Sequence, residues 1–579
     1  MKPVWDAFFA LFHRLRERFA VWIGAVVRRG NLILEGTVES TDSEVIMKRR
    51  EFISLLGGSS AFTWSWYGRA LAMLPLANPV KNEDQESRTS ANLRSTPIAI
   101  HPENPKYFIF RGKPRVLIAA TEHYGSVINR RFDFTRYLFE AADKKQTLTR
   151  TFLLYRELQS ARNPYSPLKA ESPDFITPYP RTGPGHAMDG EPKYDLDRWN
   201  NEYFDRLHRF LSTASDLGIV AELTVLSNTY ADEIWALNPL RDRNNIQGIG
   251  KVEWPEYNSL SDPLLAERQI AYTRKIVQET SGYDNIYYEV CNEPGGGLPN
   301  HVTPAEVDSW QEKIATTIRE ELRKLNRKHL VFGQNAFSYA PRFYQGFDAS
   351  FSGQMLDAVN VHPLPDLGFH GRTYQLGNFM SKELQLANFR DFFLATYDER
   401  KPNISDEDNA ASLYRDVAGW TIHRKRAWMA VICGGHYDYI DFSIQAGAEA
   451  GTEESRRNIR TWMKNLSDLI HSFDFIRAKP APGWIATRPA PLVTAALAIP
   501  GEDYIAYLAD GRELLDPAAG GAITGPITFD LPMGTYRAWF YSPSAGVYSP
   551  GVRITGGSRA RLEVPSFEHD IVLRVIREP

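Results

Sequence analysis

Tyr287-Tyr288-Glu289-Val290-Cys291-Asn292-Glu293-Pro294-Gly295-Gly296-Gly297 is a short apolar run that ends in an acid and a turn. A run of this length bounded by Pro and Gly reads as a buried strand. Alternation then puts Glu289, Cys291 and Glu293 on one strand face, with Glu293 at the strand end. Helix-like periodicity flanks the run at 263–280 and 304–325. The same strand-then-helix texture recurs outward in both directions. Further strand-like runs lie at 116–121, 148–155, 219–226, 330–335, 356–362, 402–407 and 428–439. Helical stretches lie between them at 134–145, 196–217, 382–397 and 410–426, and another, 453–472, follows the last run; 341–352 is weak enough to hold only a short helix. Eight such units fit either an open doubly wound sheet or a closed (β/α)8 barrel. A dinucleotide-binding sheet calls for Gly-x-Gly-x-x-Gly after its first strand. Glu122-His123-Tyr124-Gly125 stands there instead. We therefore expect an α/β fold, a (β/α)8 TIM barrel over 97–478, with 97–110 forming a hairpin across its bottom.

Texture changes at Lys479-Pro480-Ala481-Pro482. Short alternating segments at 504–508, 527–531, 536–541, 560–564 and 571–575 predict a small all-β sandwich over 479–579. The 579 residues therefore hold two domains and an N-terminal tail. Apolar residues at 43% and charged residues at 24% fit a globular chain, not a disordered one. A net charge of −3 offers no basic field to nucleic acid. Two cysteines cannot build a disulfide scaffold or a multi-cysteine zinc site. Cys291 and Cys433 are expected to be buried thiols on separate strands. His-Glu-x-x-His, EF-hand and Walker A patterns do not occur.

Residues 47–72 join Lys48-Arg49-Arg50 to an apolar stretch containing Phe52 and to Ala70-Leu71-Ala72. A basic region, a short apolar region and a small-residue cleavage site make an export signal, too short and too Gly-interrupted for a membrane span. Arg49-Arg50-x-Phe52 resembles a twin-arginine signal. The implied location is periplasmic or secreted, with no stable membrane insertion after cleavage. Residues 1–46 precede the expected signal start at Met47; they read as a start codon placed too early or as an amphipathic segment. Residues 73–96 read as a polar linker.

In a barrel the C-terminal strand ends converge on one mouth. The seventh run, Lys401-Pro402-Asn403-Ile404-Ser405-Asp406-Glu407-Asp408, ends in acid as the fourth does. Two carboxylates at one mouth suit glycoside hydrolysis. One gives a proton to the leaving oxygen, and the other attacks the anomeric carbon. The charge of the second is expected to raise the pKa of the first.

With these motifs the chain resembles the clan A retaining glycoside hydrolases, the cellulase-like barrels. Asn292-Glu293-Pro294 matches their acid/base signature, and Lys401-Pro402…Glu407 looks like their nucleophile segment. The resemblance covers about 97–478. It implies Glu293 as acid/base and Glu407 as nucleophile; Asp406 and Asp408 flank Glu407 in the sequence and stand as alternatives to it. It further implies that Arg150 orients the nucleophile, that Asn292 binds the sugar 2-hydroxyl, and that His362 is the histidine of strand six. The family often places x-Tyr after that histidine, whereas Pro363-Leu364 follows here. Tyr437 or Tyr439 from strand eight is the expected replacement. His436, Tyr437 and Tyr439 are also the candidates for stacking on sugar. His123, Tyr124 and Glu157 are expected sugar contacts. The tail is similar to the collagen-binding-type β-sandwich found behind such barrels. The implied partner is a carbohydrate, and the implied mechanism needs no cofactor. A barrel that binds glycans without hydrolysis, or one that runs other chemistry, is the alternative.

Overall fold

The computed structural model describes residues 96–122, 125–154, 165, 174–377, 383–408, 417–440 and 453–579. Residues 1–95, with the expected signal, and the positions His123, Tyr124 and Glu157 lie outside them.

Eight parallel strands form the barrel. They are Ile118–Thr121, Leu148–Phe152, Val220–Ser227, Ile286–Asn292, Val331–Gly333, Ala358–Val361, Asn403–Asp408 and His436–Ile440, numbered one to eight below. Each pairs with its neighbour from two through eight, and eight pairs with one. At the remaining junction the Thr147 amide donates to the Ile118 carbonyl at 3.0 Å. The Thr147 hydroxyl donates to the Val116 carbonyl and accepts from the Ile118 amide.

Helices fill the crossovers because their ends are written into the sequence. Asp262 caps the helix Pro263–Thr280 by accepting from the amides of Leu264 and Leu265, with Pro263 in the first turn. Thr303 and Glu306 form a reciprocal capping box on Pro304–Lys324. The weak stretch 341–352 holds only the short helix Asp348–Ser352.

The barrel floor is apolar. Ala99–Ile100 pairs antiparallel with Phe108–Phe110, which pairs with Lys113–Arg115, so the bottom hairpin has a third strand. Phe108 and Phe110 pack with Leu148, Val220, Tyr287 and Phe332 at the strand starts. One layer up, the barrel interior turns polar, and that layer carries the site.

The eighth unit differs from expectation. The helix runs Val417–Ile432, so Trp428–Ile432 is helix and the strand begins only at His436. Gly434, at φ 88°, and Gly435 make the break. A Cβ at either would meet a ring carbon of Tyr397 or Phe393 at 2.4 Å. Cys433 therefore follows a helix and is not on a strand.

After residue 478 the chain is all β. One sheet contains Leu492–Ile499, Asp503–Asp510, Asp570–Arg577 and Thr535–Ser542 in that order, with short edge strands. The other is Ile485–Thr487, Ile523–Asp530 and Arg559–Phe567. Their facing side chains form a separate core. The back of the larger sheet joins the barrel core through Ala495, Leu497, Ile505 and Tyr507. The helix Val417–Ile432 lies at this seam, and three successive basic residues pin it. Arg424 pairs with Asp570 at 2.6 Å, the Lys425 ammonium donates to the Asp510 carbonyl at 2.8 Å, and Arg426 pairs with Asp408 of strand seven at 3.0 Å.

Candidate functional site

Arg150, on strand two, is fully buried and sits at the centre of the polar layer. Its guanidinium donates to Glu407 Oε2 at 2.7 Å, to Asn292 Oδ1 at 2.7 Å and to both oxygens of Glu289 at 2.7–3.1 Å. Asp406 stands 3.2 Å and Glu222 3.6 Å from its Nε. Burial alone would lower the Arg150 pKa, but these carboxylates outweigh it and hold the group charged. Alternation on strand two makes this possible, since Leu148, Arg150 and Phe152 share the inward face.

The two predicted acids meet here. One carboxylate oxygen of Glu293, one of Glu407 and a ring nitrogen of His362 all lie within 4.8 Å of one another. His362 Nδ1 donates to Glu293 Oε1 at 3.0 Å and stands 3.8 Å from Glu407 Oε2. Glu293 and Glu407 both have left-handed backbones, at φ 45° and 56°. That conformation is costly for a side-chain-bearing residue and gathers at functional sites. A register shift in the pairing of strands seven and eight falls between Ser405 and Asp408. The bulge breaks alternation, so successive acids take three directions. Asp406 points into the barrel at Arg150, Glu407 points to the mouth, and Asp408 points outward to Arg426. Of the three, Glu407 is the one beside Glu293.

Close approach behind Glu293 needs glycine. A Cβ on Gly295 would lie 2.6 Å from the Phe337 ring, and one on Gly296 would lie 2.8 Å from the Thr303–Pro304 backbone.

The charge pattern differs from expectation at Glu293. Burial works to raise its pKa, but the hydrogen bond and charge of His362 outweigh burial, and the pKa falls below the usual range. The expected effect of the Glu407 charge is overridden because a cation stands between the pair. His362 itself is buried, which would lower its pKa. Asp406, Glu293 and Glu407 reverse this and hold it well above the ordinary value. His362 and Glu293 thus hold one proton between them.

Two deeper acids keep protons for another reason. Burial, then the charge of Asp406, raises the pKa of Glu222 and of Asp438. Glu222 accepts from Tyr287 and Asn360, both at 2.7 Å, and Asp438 from Thr121 at 2.7 Å. For an acid with a raised folded pKa, stability is full below the unfolded value. It is lost as pH rises through the folded value. Glu222→Gln is therefore expected to flatten the fall in urea resistance above about pH 4.3, by up to about 1.4 kcal/mol per pH unit. Urea midpoints of both proteins from pH 5 to 9 check this; parallel curves would show that Glu222 is ionised in the fold.

Asn292 joins Glu289 at Arg150, and its Nδ2 donates to the Tyr230 hydroxyl at 2.6 Å. Cys291, expected on that face, accepts instead from Asn258 Nδ2 at 3.5 Å. Both thiols are free and buried, and burial pushes their pKa values up.

Strand eight corrects three expectations. Tyr437 donates its hydroxyl to Asp408 at 3.0 Å, not to Glu407, because odd positions of this strand face the helix side. Tyr439 lies against His423 of that helix, with ring centroids 4.3 Å apart. His436 is fixed at the barrel floor by the Leu117 amide and the Lys106 carbonyl. Strand eight sends Asp438, not an aromatic, into the polar layer.

Sequence reading missed Tyr230, Asn228 and Tyr339. Tyr230, at φ 57°, also hydrogen-bonds Glu293. Asn228 donates to the Tyr339 hydroxyl at 2.7 Å, and Trp254 meets the Tyr339 ring edge-on at 6.4 Å. Their only sequence signal is position, just past strands three and five and in the loop 236–261.

The triads Glu289–His362–Asp406 and Glu293–His362–Glu407 have the donor types and spacing of a metal site. Arg150 already lies on Glu289, Asp406 and Glu407 and supplies the charge a cation would bring. The donor set therefore fits an arginine-centred ion cluster better than a metal.

A sequence-family model described as "Domain of unknown function (DUF6298)" matches residues 169–280. No curated protein matches the sequence. Among solved structures, one titled "Glycoside hydrolase" is similar at a TM-score of 0.54 and 14% identity, over 84% of this chain and 97% of that one. A glycoside hydrolase family 5 protein from Bacteroides vulgatus is similar at a TM-score of 0.54 and 15% identity, over 83% and 93% of the two chains. A third structure, from the same organism and titled "putative glycoside hydrolase", reaches 0.52 at 13% identity, over 84% and 83%. The likeness is one of fold. It agrees with the eight parallel strands of the barrel.

Proposed function

We propose that this protein is an exported retaining glycoside hydrolase acting on a poly- or oligosaccharide. The observation that carries the reading is the pairing of Glu293 and Glu407. Their nearest oxygens lie within 4.8 Å at the ends of strands four and seven. Retaining enzymes hold their carboxyl groups about 5–5.5 Å apart, and inverting enzymes hold them wider to admit a water. Glu407, held by Arg150, attacks the anomeric carbon and forms a glycosyl ester. Glu293 protonates the leaving oxygen, drawing on the proton it shares with His362, and then activates water to release the sugar. Asn292 and Tyr230 border the same space and offer hydrogen bonds to a ring hydroxyl. Export rests on Arg49-Arg50-x-Phe52 and the apolar segment after it. Among the described residues no helix is long and apolar enough to cross a membrane.

A panel of polysaccharides and aryl glycosides tests the reading. On a substrate found there, Glu293→Ala is expected to lose most turnover where the leaving group is poor. It should keep turnover on dinitrophenyl glycosides, and azide should raise that rate and give a glycosyl azide of retained configuration. Undiminished cleavage of poor leaving groups would remove Glu293 from the acid/base role.

A further inference from the structure

We infer that Asp406 is a positioning residue, the buried counter-ion that holds the two cations on which Glu293 and Glu407 rest. Its link to catalysis rests on the function proposed above, but its contacts with Arg150 and His362 stand on geometry alone. Asp406 Oδ2 lies 3.2 Å from Arg150 Nε and 3.6 Å from His362 Nε2. Asn360 donates to the same oxygen at 3.1 Å. Arg150 reaches Glu407 with a different nitrogen, Nη1, and His362 reaches Glu293 with its other nitrogen, Nδ1. One carboxylate, fully buried, thus sits behind both halves of the site.

The arrangement sets the chemistry of His362. A carboxylate on the Nε2 side keeps that nitrogen protonated. Nδ1 is then the nitrogen that gives and takes a proton. When Nδ1–H passes to Glu293 Oε1, the N–H pair stays on nitrogen, Glu293 becomes a carboxylic acid, and His362 is left neutral with Nε2–H toward Asp406. The reverse transfer restores the imidazolium. Without Asp406 the Nε2 side loses its carboxylate, and Glu293 and Glu407 hold the ring only from the Nδ1 side.

Other charged and titratable groups face this pair. Glu222 and Asp438, from strands three and eight, interact with Asp406 and hold protons of their own. Tyr287 of strand four also interacts with it, its hydroxyl pKa raised by burial. Glu289 shares Arg150 with Asp406. Glu293 and Glu407 are the remaining acids on His362. Among the described residues, Asp406 is the one carboxylate within 4 Å of both Arg150 and His362 that is not itself at the mouth.

Nitrogen-15 NMR of the full chain labelled at histidine tests this without any substrate. The chain has thirteen histidines, and His362→Gln identifies the signal of interest. In the wild type that signal is expected to keep an imidazolium signature at pH 8. It should persist in Glu293→Gln and disappear in Asp406→Asn, which becomes a neutral imidazole. Persistence in Asp406→Asn, or loss in Glu293→Gln, overturns the inference. If circular dichroism shows Asp406→Asn unfolded, the Glu293→Gln arm decides alone. The expected histidine pattern in a chain that hydrolyses no glycan would sink the proposed function and leave Asp406 in its place. Hydrolysis with the imidazolium intact in Asp406→Asn would do the opposite.

Discussion

Glu407→Gln is expected to lower kcat on an activated aryl glycoside by on the order of 10⁴-fold or more, a barrier rise of about 5 kcal/mol. The variant keeps the size of the side chain and a hydrogen-bond acceptor for Arg150, so the fold should hold. It loses the anionic oxygen that forms the ester. Mass spectrometry gives a second, independent reading. Wild-type protein turning over a 2-fluoro glycoside of the sugar it cleaves should gain the mass of one fluoroglycosyl group, on the peptide that contains Glu407. The label should be missing from the variant. A label on Asp406 or Asp408 would move the nucleophile and would contradict the directions in which the bulge sends those side chains. A wild type that turns over with no covalent intermediate would contradict the retaining mechanism itself.

Arg150→Met should act on the whole molecule. Methionine fills similar space but leaves Glu289, Asp406, Glu407 and the Asn292 amide oxygen without their common donor. Removing one partner from a buried ion pair costs about 3–5 kcal/mol, because the other charge stays buried and uncompensated. A set of carboxylates around one arginine should reach at least that value. The expected result is a large drop in urea midpoint at pH 7, or loss of soluble protein. The loss should shrink at low pH. Protonated carboxyls need no counter-charge, so the variant's folded state takes up protons and its stability deficit narrows as pH falls. A deficit independent of pH would mean that packing, and not charge, is the role of Arg150.

The barrel was legible because its strands are bounded by Gly and Pro and its helices carry caps, as at Asp262 and Thr303. Glu293 was legible because an acid between a strand and a Pro-Gly turn has one place to go. Five features were hidden for physical reasons. The strand Leu492–Ile499 is apolar on both faces, one against the sandwich core and one against the barrel, so it has no alternation to read. The eighth strand was merged with a helix that is buried from Gly419 onward, and its hydrophobic residues mark no period. Strand parity decided Tyr437, and parity turns on a register that a single residue can reverse. The bulge at strand seven hid Asp406 in the same way. Strict alternation would send Asp406 and Glu407 to opposite faces, yet both meet Arg150. The His362–Glu293 bond joins residues 69 apart and leaves no local mark.

The helix Val417–Ile432 has a consequence for how such a chain can be rebuilt. Its basic triplet fastens two architectures at once, and the fastening on one side is Asp408, the residue after Glu407. The C-terminal module is thus packed on the barrel through this helix and is not cargo on a tether. It cannot be trimmed, swapped or grafted as an interchangeable accessory, because a cut at residue 478 would uncover Trp428 and strip Arg424 and Lys425 of their only neutralising surroundings among the described residues. Any shuffling of this scaffold has to carry barrel and module together.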